Sequence, residues 1–413
     1  MNSTALREHC ARELPATLEM LRQMVAINSF TENPDGINRL GKLTAECFAP
    51  LGFTPLFVPA ADARFGCHLV MKSTPIPGGP TIALISHLDT VYTAEEEERN
   101  DFHWREERPR IYGPGTNDIK GGTALLHLTL SGLRVCAENV FAQTNWVVLL
   151  NASEEVVSAD FGNVCRAHLP ADALAALIFE ADGDDADGCS LVSARKGRAT
   201  FTIEVEGRGA HAGGQHEHGA NAVVQLARIV SEISNLTDHA RGLTVNIGSL
   251  HGGTVANRVP HFASAEVEMR AFDSATYAEA KRRILAHAGA GDLCSASADA
   301  HRCRIAISLD HETGPWPANP GTEKLLALWQ ASGRGLGIEV RTEQRGGLSD
   351  GNVLWDAFPT VDGLGPRGQN CHCSEQSADG SKVPEWVDAT SFVPKAMLNA
   401  TAIARLRVQE AAE

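Results

Sequence analysis

The chain has 413 residues and a formal net charge of −15, from 36 Lys and Arg against 51 Asp and Glu. A chain of this length can form two domains, because single hydrophobic cores rarely grow beyond about 250–300 residues. The acidic balance argues against a nucleic-acid-binding protein. No stretch approaches the roughly 20 apolar residues that a membrane-spanning helix needs, so we expect no membrane partner.

The N-terminal segment and the cysteines indicate the compartment. Residues 1–14 contain charges but lack an apolar segment, so we expect no secretory signal peptide. The ten cysteines show no short paired spacing except at Cys371 and Cys373, which flank His372. Without a signal peptide, this pattern predicts a cytoplasmic protein with reduced thiols.

Three short apolar runs are each followed by residues that can bind metal ions. Continuous apolar runs of this length are typical of strands buried on both faces, as in a parallel sheet covered by helices. In such a sheet, ligands bind beyond the carboxyl ends of the strands. The side chains expected to converge there are His87 and Asp89 after residues 81–86, Glu154 and Glu155 after residues 146–150, and Glu180 after residues 174–179.

A glycine-rich segment adds a further acid between the first two of these strand ends. Residues 113–122 read Gly-Pro-Gly-Thr-Asn-Asp-Ile-Lys-Gly-Gly and contain Asp118. Carboxylates gathered in this way would repel one another unless cations lay among them, so the pattern predicts a hydrolase site with two metal ions. Asp89 lies two residues after His87 and therefore faces the same way in extended chain. It can fix the imidazole tautomer, as carboxylates beside metal-binding histidines do.

These motifs resemble those of the zinc-dependent exopeptidase and deacylase family that includes glutamate carboxypeptidase, acetylornithine deacetylase, succinyl-diaminopimelate desuccinylase and aminoacylase. The resemblance extends over nearly the whole chain. The matching segments are residues 86–91, 112–122, 153–155, 179–180, 209–213, 346–351 and 368–372.

The resemblance implies two zinc ions per subunit and assigns five ligands. His87 would bind one ion and His372 the other, while Asp118 would bridge the two. Glu155 would complete one site and Glu180 the other. Zinc accepts imidazole nitrogen and carboxylate oxygen ligands, and cobalt or manganese would fit the same set.

The resemblance also makes Glu154 the general base and Asp89 the residue that orients His87. Asp182 is an alternative to Glu180, because it lies two residues farther along and faces the same way if the strand continues. Cys371 and Cys373 are alternatives to His372 as zinc ligands, but adjacent side chains of an extended segment point in opposite directions. We therefore expect the two cysteines to be packing residues.

Between residues 194 and 309 the pattern changes to strand, helix, strand, strand, helix, strand. This order is typical of a split βαβ fold that forms its own core. We therefore expect an α/β protein with a mixed, mostly parallel sheet flanked by helices, in two parts (1–193 and 310–413), and an inserted α+β ferredoxin-like domain (194–309). The predicted segments of the insert are strands at 201–205, 243–250, 262–272 and 305–309 and helices at 219–236 and 276–287.

In the family this insert covers the substrate and mediates dimerisation, which implies a homodimer. By resemblance, His211 would donate a hydrogen bond to the developing oxyanion, in its own subunit or in the neighbouring one. Asn257 and Arg270 would hold the carboxylate of the substrate, although Arg270 fits an exposed charge on a strand equally well. The loop at Gly347 would line the specificity pocket, with Arg345 as a second candidate for binding an anion.

The chain departs from the family pattern at His216, where a proline is common, and at His261, where an acid is usual. The segment after His372 is also longer than usual. These departures affect the expected pocket, and the metal ligands are all present.

The sequence thus predicts a zinc-dependent hydrolase of the amide or peptide bond next to a free carboxylate. The substrate would be a small N-acyl amino acid or a short peptide, with glutamate carboxypeptidase-like specificity first. The alternatives are an amino-acid N-deacylase with the same machinery, and a catalytically silent relative that binds small molecules.

Overall fold

The computed structural model describes residues 1–156, 160–182 and 189–410. The chain divides into two compact units. The large unit contains Met1–Ser193, Ala318–Gln344 and Ser349–Glu413, and the small unit contains Ala194–Pro317 and Arg345–Leu348. Among the helices of the described residues, none is long and apolar enough to cross a membrane.

The elements of the first segment are α1 (Ser3–Val25), α2 (Pro34–Phe48), β1 (Thr54–Pro59), β2 (Cys67–Lys72), β3 (Thr81–His87), α3 (Ala94–Arg99), β4 (Arg105–Glu107), β5 (Arg110–Tyr112), α4 (Lys120–Cys136), α5 (Glu138–Ala142), β6 (Asn145–Asn151), α6 (Phe161–His168), β7 (Ala175–Ile178) and β8 (Cys189–Arg195). The elements of the insert are β9 (Gly197–Glu206), α7 (Ala222–Ser234), β10 (Thr244–Gly252), β11 (Phe262–Ala271), α8 (Ser274–Leu285), β12 (Gly289–Cys294) and β13 (Arg302–Thr313). The last segment contains α9 (Pro320–Leu336), β14 (Val340–Arg345), β15 (Thr360–Val361), β16 (Gly368–Gln369), β17 (Trp386–Asp388) and α10 (Phe392–Glu410).

The main sheet of the large unit has six strands in the order β1-β2-β6-β3-β7-β15. The strands β6, β3, β7 and β15 are parallel, and β1 and β2 form an antiparallel edge. All seven residues of β3 are buried. Its side chains alternate between two apolar clusters: Ile82 and Leu84 pack with residues of α1, α4, α9 and α10, and Ala83 and Ile85 pack with residues of α6. The predicted mixed, mostly parallel sheet with helices on both faces is confirmed.

The small unit contains a five-stranded antiparallel sheet in the order β10-β11-β9-β13-β12. Apolar residues of β9 alternate with polar ones, and Phe201 and Ile203 pack against Leu226 and Ile229 of α7 in its core. Without β12, the strand order is that of a ferredoxin-like fold. The sequence did not reveal β12, because its glycines and Asp292 break the apolar alternation that marks a half-buried strand.

The last strand of the insert continues beyond the predicted boundary at residue 309. The strand β13 ends at Thr313, and its register against β9 shifts between Leu309 and His311. A bulge of this kind interrupts the alternation of apolar and polar side chains. The pattern therefore stops at Leu309 although the strand does not.

A second, four-stranded sheet of the large unit positions the glycine-rich segment. Its order is β16-β17-β5-β4, and Trp386 of β17 pairs with Tyr112 of β5. The residue after Tyr112 is Gly113, and the residue before Trp386 is Glu385. This pairing brings the start of the Gly113 segment next to residue 385, although 272 positions separate them along the chain (385 − 113).

We predict that Leu84→Ala lowers the free energy of unfolding of the large unit by about 2–5 kcal/mol, because Leu84 is fully buried in the central strand and its removal leaves a cavity. Leu56→Ala is the matched control, since Leu56 is 49% exposed on the edge strand β1, and we expect a change within about 0.5 kcal/mol. Urea unfolding followed by tryptophan fluorescence measures both. Equal midpoints for the two variants would contradict the packing described for β3.

Candidate metal centre

His87 is the last residue of β3 and is 2% exposed. Its Nδ1 atom lies 3.0 Å from the backbone oxygen of Asp89, so the Nδ1–H donates to this carbonyl. Its Nε2 atom lies 3.0 Å from Oδ1 of Asp118 and 3.7 Å from Oε1 of Glu180. The lone pair of Nε2 therefore faces two carboxylates and is the atom that can bind a metal ion.

Asp89 links His87 to the loop that carries the two glutamates after β6. Its Oδ1 atom lies 3.3 Å from Nδ1 of His87. The same carboxylate accepts hydrogen bonds from the backbone N–H groups of Glu154 (3.0 Å) and Glu155 (3.2 Å) and from the hydroxyl of Thr31 (2.8 Å). Asp89 thus fixes the backbone of the 154–155 loop as well as the histidine.

Asp118 lies between β5 and α4, and the peptide bond that follows it is cis. One carboxylate oxygen faces His87, and the other lies 3.4 Å from Nε2 of His372. The carboxylate therefore faces both histidines.

His372 and Glu155 complete a second group around Asp118. Nε2 of His372 lies 3.1 Å from Oε2 of Glu155. His372 has a positive φ of 66°, and its side chain is 54% exposed. The neighbouring Cys371 accepts a hydrogen bond at its Sγ atom from the side chain of Asn117 (3.1 Å), and neither Cys371 nor Cys373 belongs to a possible metal-binding group within the described ranges.

Two groups of side chains could each hold one metal ion. They are His87, Asp118 and Glu180, and Asp118, Glu155 and His372, and the ligand atoms within each group lie within 4.8 Å of one another. Asp118 belongs to both groups. The nitrogen and oxygen donors suit zinc.

A buried carboxylate oxygen in the second group supports the binding of a metal ion there. In the described part of the chain, the Oε1 atom of Glu155 is buried without a hydrogen-bond partner. A buried carboxylate oxygen without a partner is costly, and a cation bound beside it would remove that cost. The residues present therefore fit two divalent ions that share Asp118.

Glu154 lies next to the ligands without belonging to either group. Burial raises the pKa of its carboxyl well above the usual range, and the nearby charges of Glu180 and Asp350 act in the same direction. A raised pKa brings a carboxylate closer to the operating pH that a general base needs.

Comparison with known proteins finds similarity over most of the chain. Residues 193–292 match the family model described as a peptidase dimerisation domain. Carboxypeptidase G2 of Pseudomonas sp. (strain RS-16) is 27% identical over 378 residues, which cover 90% of this chain and 87% of that protein. Acetylornithine deacetylase of Erwinia tasmaniensis is 25% identical over 285 residues, which cover 65% of this chain and 70% of that protein.

The fold has close counterparts among solved structures. A tripeptidase of Staphylococcus aureus superposes with a TM-score of 0.72 at 22% identity, and the match covers 99% of this chain and 100% of the tripeptidase. At this identity the likeness is one of fold. The chain is thus a sequence homologue of carboxypeptidase G2 and acetylornithine deacetylase, and it shares the fold of the tripeptidase.

The structure separates the two candidates for the ligand after β7. Glu180 lies in the group with His87. Asp182 instead forms a buried ion pair with Lys395 (2.8 Å) and accepts a hydrogen bond from the backbone N–H of Ser190 (2.7 Å). This geometry favours Glu180 as the ligand, while the role itself stays a prediction.

The residues predicted to bind the substrate all lie in the small unit of this protein. Nδ1 of His211 accepts hydrogen bonds from the backbone N–H groups of Gly213 (3.2 Å) and Gly214 (3.0 Å), which places the imidazole proton on Nε2. The backbone oxygen of Asn257 accepts a hydrogen bond from the N–H of Ala212 (2.9 Å). The region of His211 and that of Asn257 are therefore adjacent.

Arg270 and the loop at residues 345–348 form a separate group in the same unit. Nη1 of Arg270 donates to the carbonyl of Gly346 (2.9 Å), and Nη1 of Arg195 donates to that of Gly347 (3.1 Å). The carbonyl of Arg345 accepts a hydrogen bond from the N–H of Lys196 (3.2 Å). Arg195, Arg270 and the backbone N–H of Lys196 thus bind this loop within the small unit. The residues before and after the loop along the chain belong to the large unit.

Glu385 supports the metal centre, and the sequence analysis did not identify it. Its side chain is 0% exposed. Oε1 accepts hydrogen bonds from the backbone N–H groups of Asn117 (2.7 Å) and Asp118 (3.0 Å), and Oε2 accepts one from the hydroxyl of Tyr92 (2.7 Å). Burial raises the pKa of Glu385 to about 7. The sequence feature that could have pointed to Glu385 is the position of this acid directly before the apolar residues of β17.

His68 is a second supporting residue that sequence analysis did not connect with the site. It is fully buried in β2. Its Nδ1 atom accepts a hydrogen bond from the backbone N–H of Ala152 (3.1 Å), and its Nε2 atom lies 3.2 Å from Oδ2 of Asp160. This contact anchors the start of the loop that carries Glu154 and Glu155.

We predict that Glu385→Gln lowers the affinity for zinc by about 10–100-fold, the range typical of residues that support a metal ligand. The amide can no longer offer two acceptor oxygens to the backbone beside Asp118 and to Tyr92, so the carboxylate of Asp118 loses its fixed position. Competition with a chromogenic chelator measures the affinity.

The control for this prediction is Glu375→Gln, which removes the same charge from an exposed residue of the same segment, 55% exposed and paired with Lys382. We expect its zinc affinity to equal that of the unmodified protein. If Glu385→Gln also binds zinc with unchanged affinity, Glu385 does not position Asp118.

Proposed function

We propose that this homologue is a zinc-dependent hydrolase that cleaves the amide or peptide bond next to a free carboxylate, with glutamate carboxypeptidase-like specificity. The observation that carries the proposal is the shared position of Asp118. It belongs to two ligand groups, and the half-buried Glu154 lies beside both. An amide hydrolase needs a general base of this kind next to its metal ions.

Two zinc ions, when bound, supply Lewis acidity and make water acidic near neutral pH. Glu154 is then placed to accept a proton from water and to deliver it to the leaving amine. Asp89 keeps Glu154 and Glu155 in position through their backbone N–H groups. The adjacent glutamates can therefore perform different tasks, one as base and the other as ligand.

His211 is proposed to stabilise the oxyanion that develops on the scissile carbonyl. Its Nε2 carries the proton because Nδ1 accepts from Gly213 and Gly214. An imidazole in this tautomer is a hydrogen-bond donor, and such donors are worth about 3–4 kcal/mol in other enzymes. Whether His211 acts in its own subunit or in a neighbouring one is tested by mixing His211→Ala and Glu154→Gln subunits.

The free carboxylate of the substrate is proposed to bind at Arg270, with Asn257, Arg345 and the loop at Gly347 beside it. The carbonyl oxygens of this loop are bonded to Arg195 and Arg270. Backbone N–H groups of a loop such as this one suit a carboxylate.

An amino-acid N-deacylase is the second candidate, because acetylornithine deacetylase is among the relatives. The same ligands and base serve both reactions, so the difference lies in the pocket that binds the acyl group and the side chain. A catalytically silent relative is the third candidate. The presence of all five ligands and of Glu154 argues against it.

The metal identity, the subunit assembly and the compartment belong to this proposal too. Zinc suits the donor set, and cobalt or manganese would fit it as well. The match of residues 193–292 to a dimerisation domain supports a homodimer formed through the small unit. The described cysteines are all free thiols, which agrees with a cytoplasmic protein.

We predict chelator-sensitive release of amines by the zinc-loaded protein. Short peptides and N-aroyl amino acids that end in glutamate, aspartate or alanine test carboxypeptidase activity. N-acetyl and N-succinyl amino acids test deacylase activity. Turnover confined to the first set supports the proposal, and turnover confined to the second replaces it with the deacylase. Absence of turnover on both sets would contradict both hydrolytic candidates.

We predict that Glu154→Gln lowers kcat by about 10²–10⁴-fold, because the amide cannot accept the proton. The zinc content should stay at two ions per chain. Glu155→Gln is the informative neighbour, since it should lose zinc. Metal analysis and initial rates on a glutamyl peptide distinguish the two. Near-normal turnover of Glu154→Gln would exclude this residue as the base.

A further inference from the structure

Two arginines lie directly opposite each other on the polar face of the small unit's sheet. Arg198 of β9 and Arg270 of β11 are register partners. Like charges in this position destabilise a sheet, so the pair needs an explanation. Glu268, two residues before Arg270 on the same face, lies next to both: its Oε2 accepts from Nε of Arg198 (2.8 Å), and its Oε1 accepts from Nε of Arg270 (2.7 Å).

One carboxylate therefore serves two guanidinium groups. Arg270 uses its Nε and Nη2 atoms for Glu268 and its Nη1 atom for the carbonyl of Gly346. Arg198 uses its Nε atom alone in the hydrogen bonds found among the described residues. A guanidinium carries five N–H donors, so Arg198 keeps both of its Nη groups for a ligand. The side chains of Arg198 and Glu268 are 36% and 30% exposed, which leaves them accessible.

A third cation lies at the same end of the sheet. Thr244 of β10 is the register partner of Arg270 on its other side, and Nζ of Lys196 lies 3.3 Å from Oγ1 of Thr244. Burial and the charge of Arg270 lower the pKa of Lys196. Lys196 thus lies close enough to Arg270 for the two cations to influence each other.

Another arginine on the same sheet shows the contrast. Arg304 of β13 is the register partner of Glu206 of β9. These two side chains are 75% and 64% exposed and lie 3.5 Å apart at their closest N and O atoms. One cation therefore faces one carboxylate at that position. Glu206 lies about 26 Å from Arg198 along β9, at roughly 3.3 Å per residue. The arrangement at Arg198 and Arg270 is thus particular to its end of the sheet.

We propose that Arg198 is a specificity-determining residue that binds a second carboxylate of the ligand, the side-chain carboxylate of a glutamyl or aspartyl group, while Arg270 binds the α-carboxylate. The inference rests on the proposed function and names its substrate class: N-acyl or peptidyl derivatives of acidic amino acids. Two guanidinium groups held by one glutamate match two carboxylates. The same charges repel a cationic side chain such as that of ornithine.

The test compares binding of L-glutamate and L-glutamine to the zinc-loaded protein by isothermal titration calorimetry. Both ligands have the same amine and α-carboxylate, and neither contains an N-acyl amide or peptide bond next to its α-carboxylate. Their affinity ratio therefore reports recognition of the side-chain charge alone. We expect glutamate to bind at least about tenfold more tightly than glutamine, and L-ornithine to bind more weakly than either.

Arg198→Met should reduce the ratio of glutamate to glutamine affinity to within about threefold of unity, and Arg198→Lys should restore part of it. Arg304→Met removes the same charge from the same sheet and should keep the full ratio. The proposal is overturned if the unmodified protein binds glutamine as tightly as glutamate, if it binds neither, or if Arg198→Met keeps the ratio.

These outcomes are independent of hydrolysis. If no amide substrate is cleaved, the proposed function fails even where the preference for glutamate and its loss in Arg198→Met are observed. If substrates are cleaved without a preference for glutamate, the hydrolase assignment stands and the role of Arg198 fails. Equal thermal unfolding of Arg198→Met and Arg304→Met checks that neither variant is misfolded.

Discussion

Mutual repulsion among carboxylates is the constraint on which this centre depends. Asp118, Glu155 and Glu180 lie around two histidines, and Glu154 lies beside them, at one edge of the main sheet. Burial alone would disfavour so many charges in this space. Cations bound between them would turn the same arrangement into a stable one. The shared position of Asp118 then follows, since one carboxylate that faces both histidines can serve two ions.

The surrounding fold holds these groups by their backbones. Asp89 binds the N–H groups of Glu154 and Glu155, and Glu385 binds those of Asn117 and Asp118. Both of these supporting carboxylates are buried and come from distant parts of the chain. Since a ligand fixed through its main chain keeps its side chain aimed, the positions of the ligands depend on hydrogen bonds that involve no metal.

The sequence predicted the residues that follow buried strands, for a physical reason. His87, Glu154 and Glu180 come after apolar runs, and parallel strands bring such positions to one edge of the sheet. Glu385 does not follow that rule. It precedes β17 and reaches the site through pairing with β5, a long-range contact that no local pattern reveals. The same holds for β12, whose glycines hide a strand, and for the end of β13, where a bulge conceals four further residues.

The roles of the ligands depend on where metal ions bind, and anomalous diffraction at the zinc edge from zinc-loaded crystals tests this most directly. We predict two peaks about 3.5–4 Å apart, one between His87 and Glu180 and the other between His372 and Glu155. Both should lie about 2.0–2.2 Å from the carboxylate of Asp118. A single peak, or two peaks that do not share Asp118, would contradict the two-metal centre.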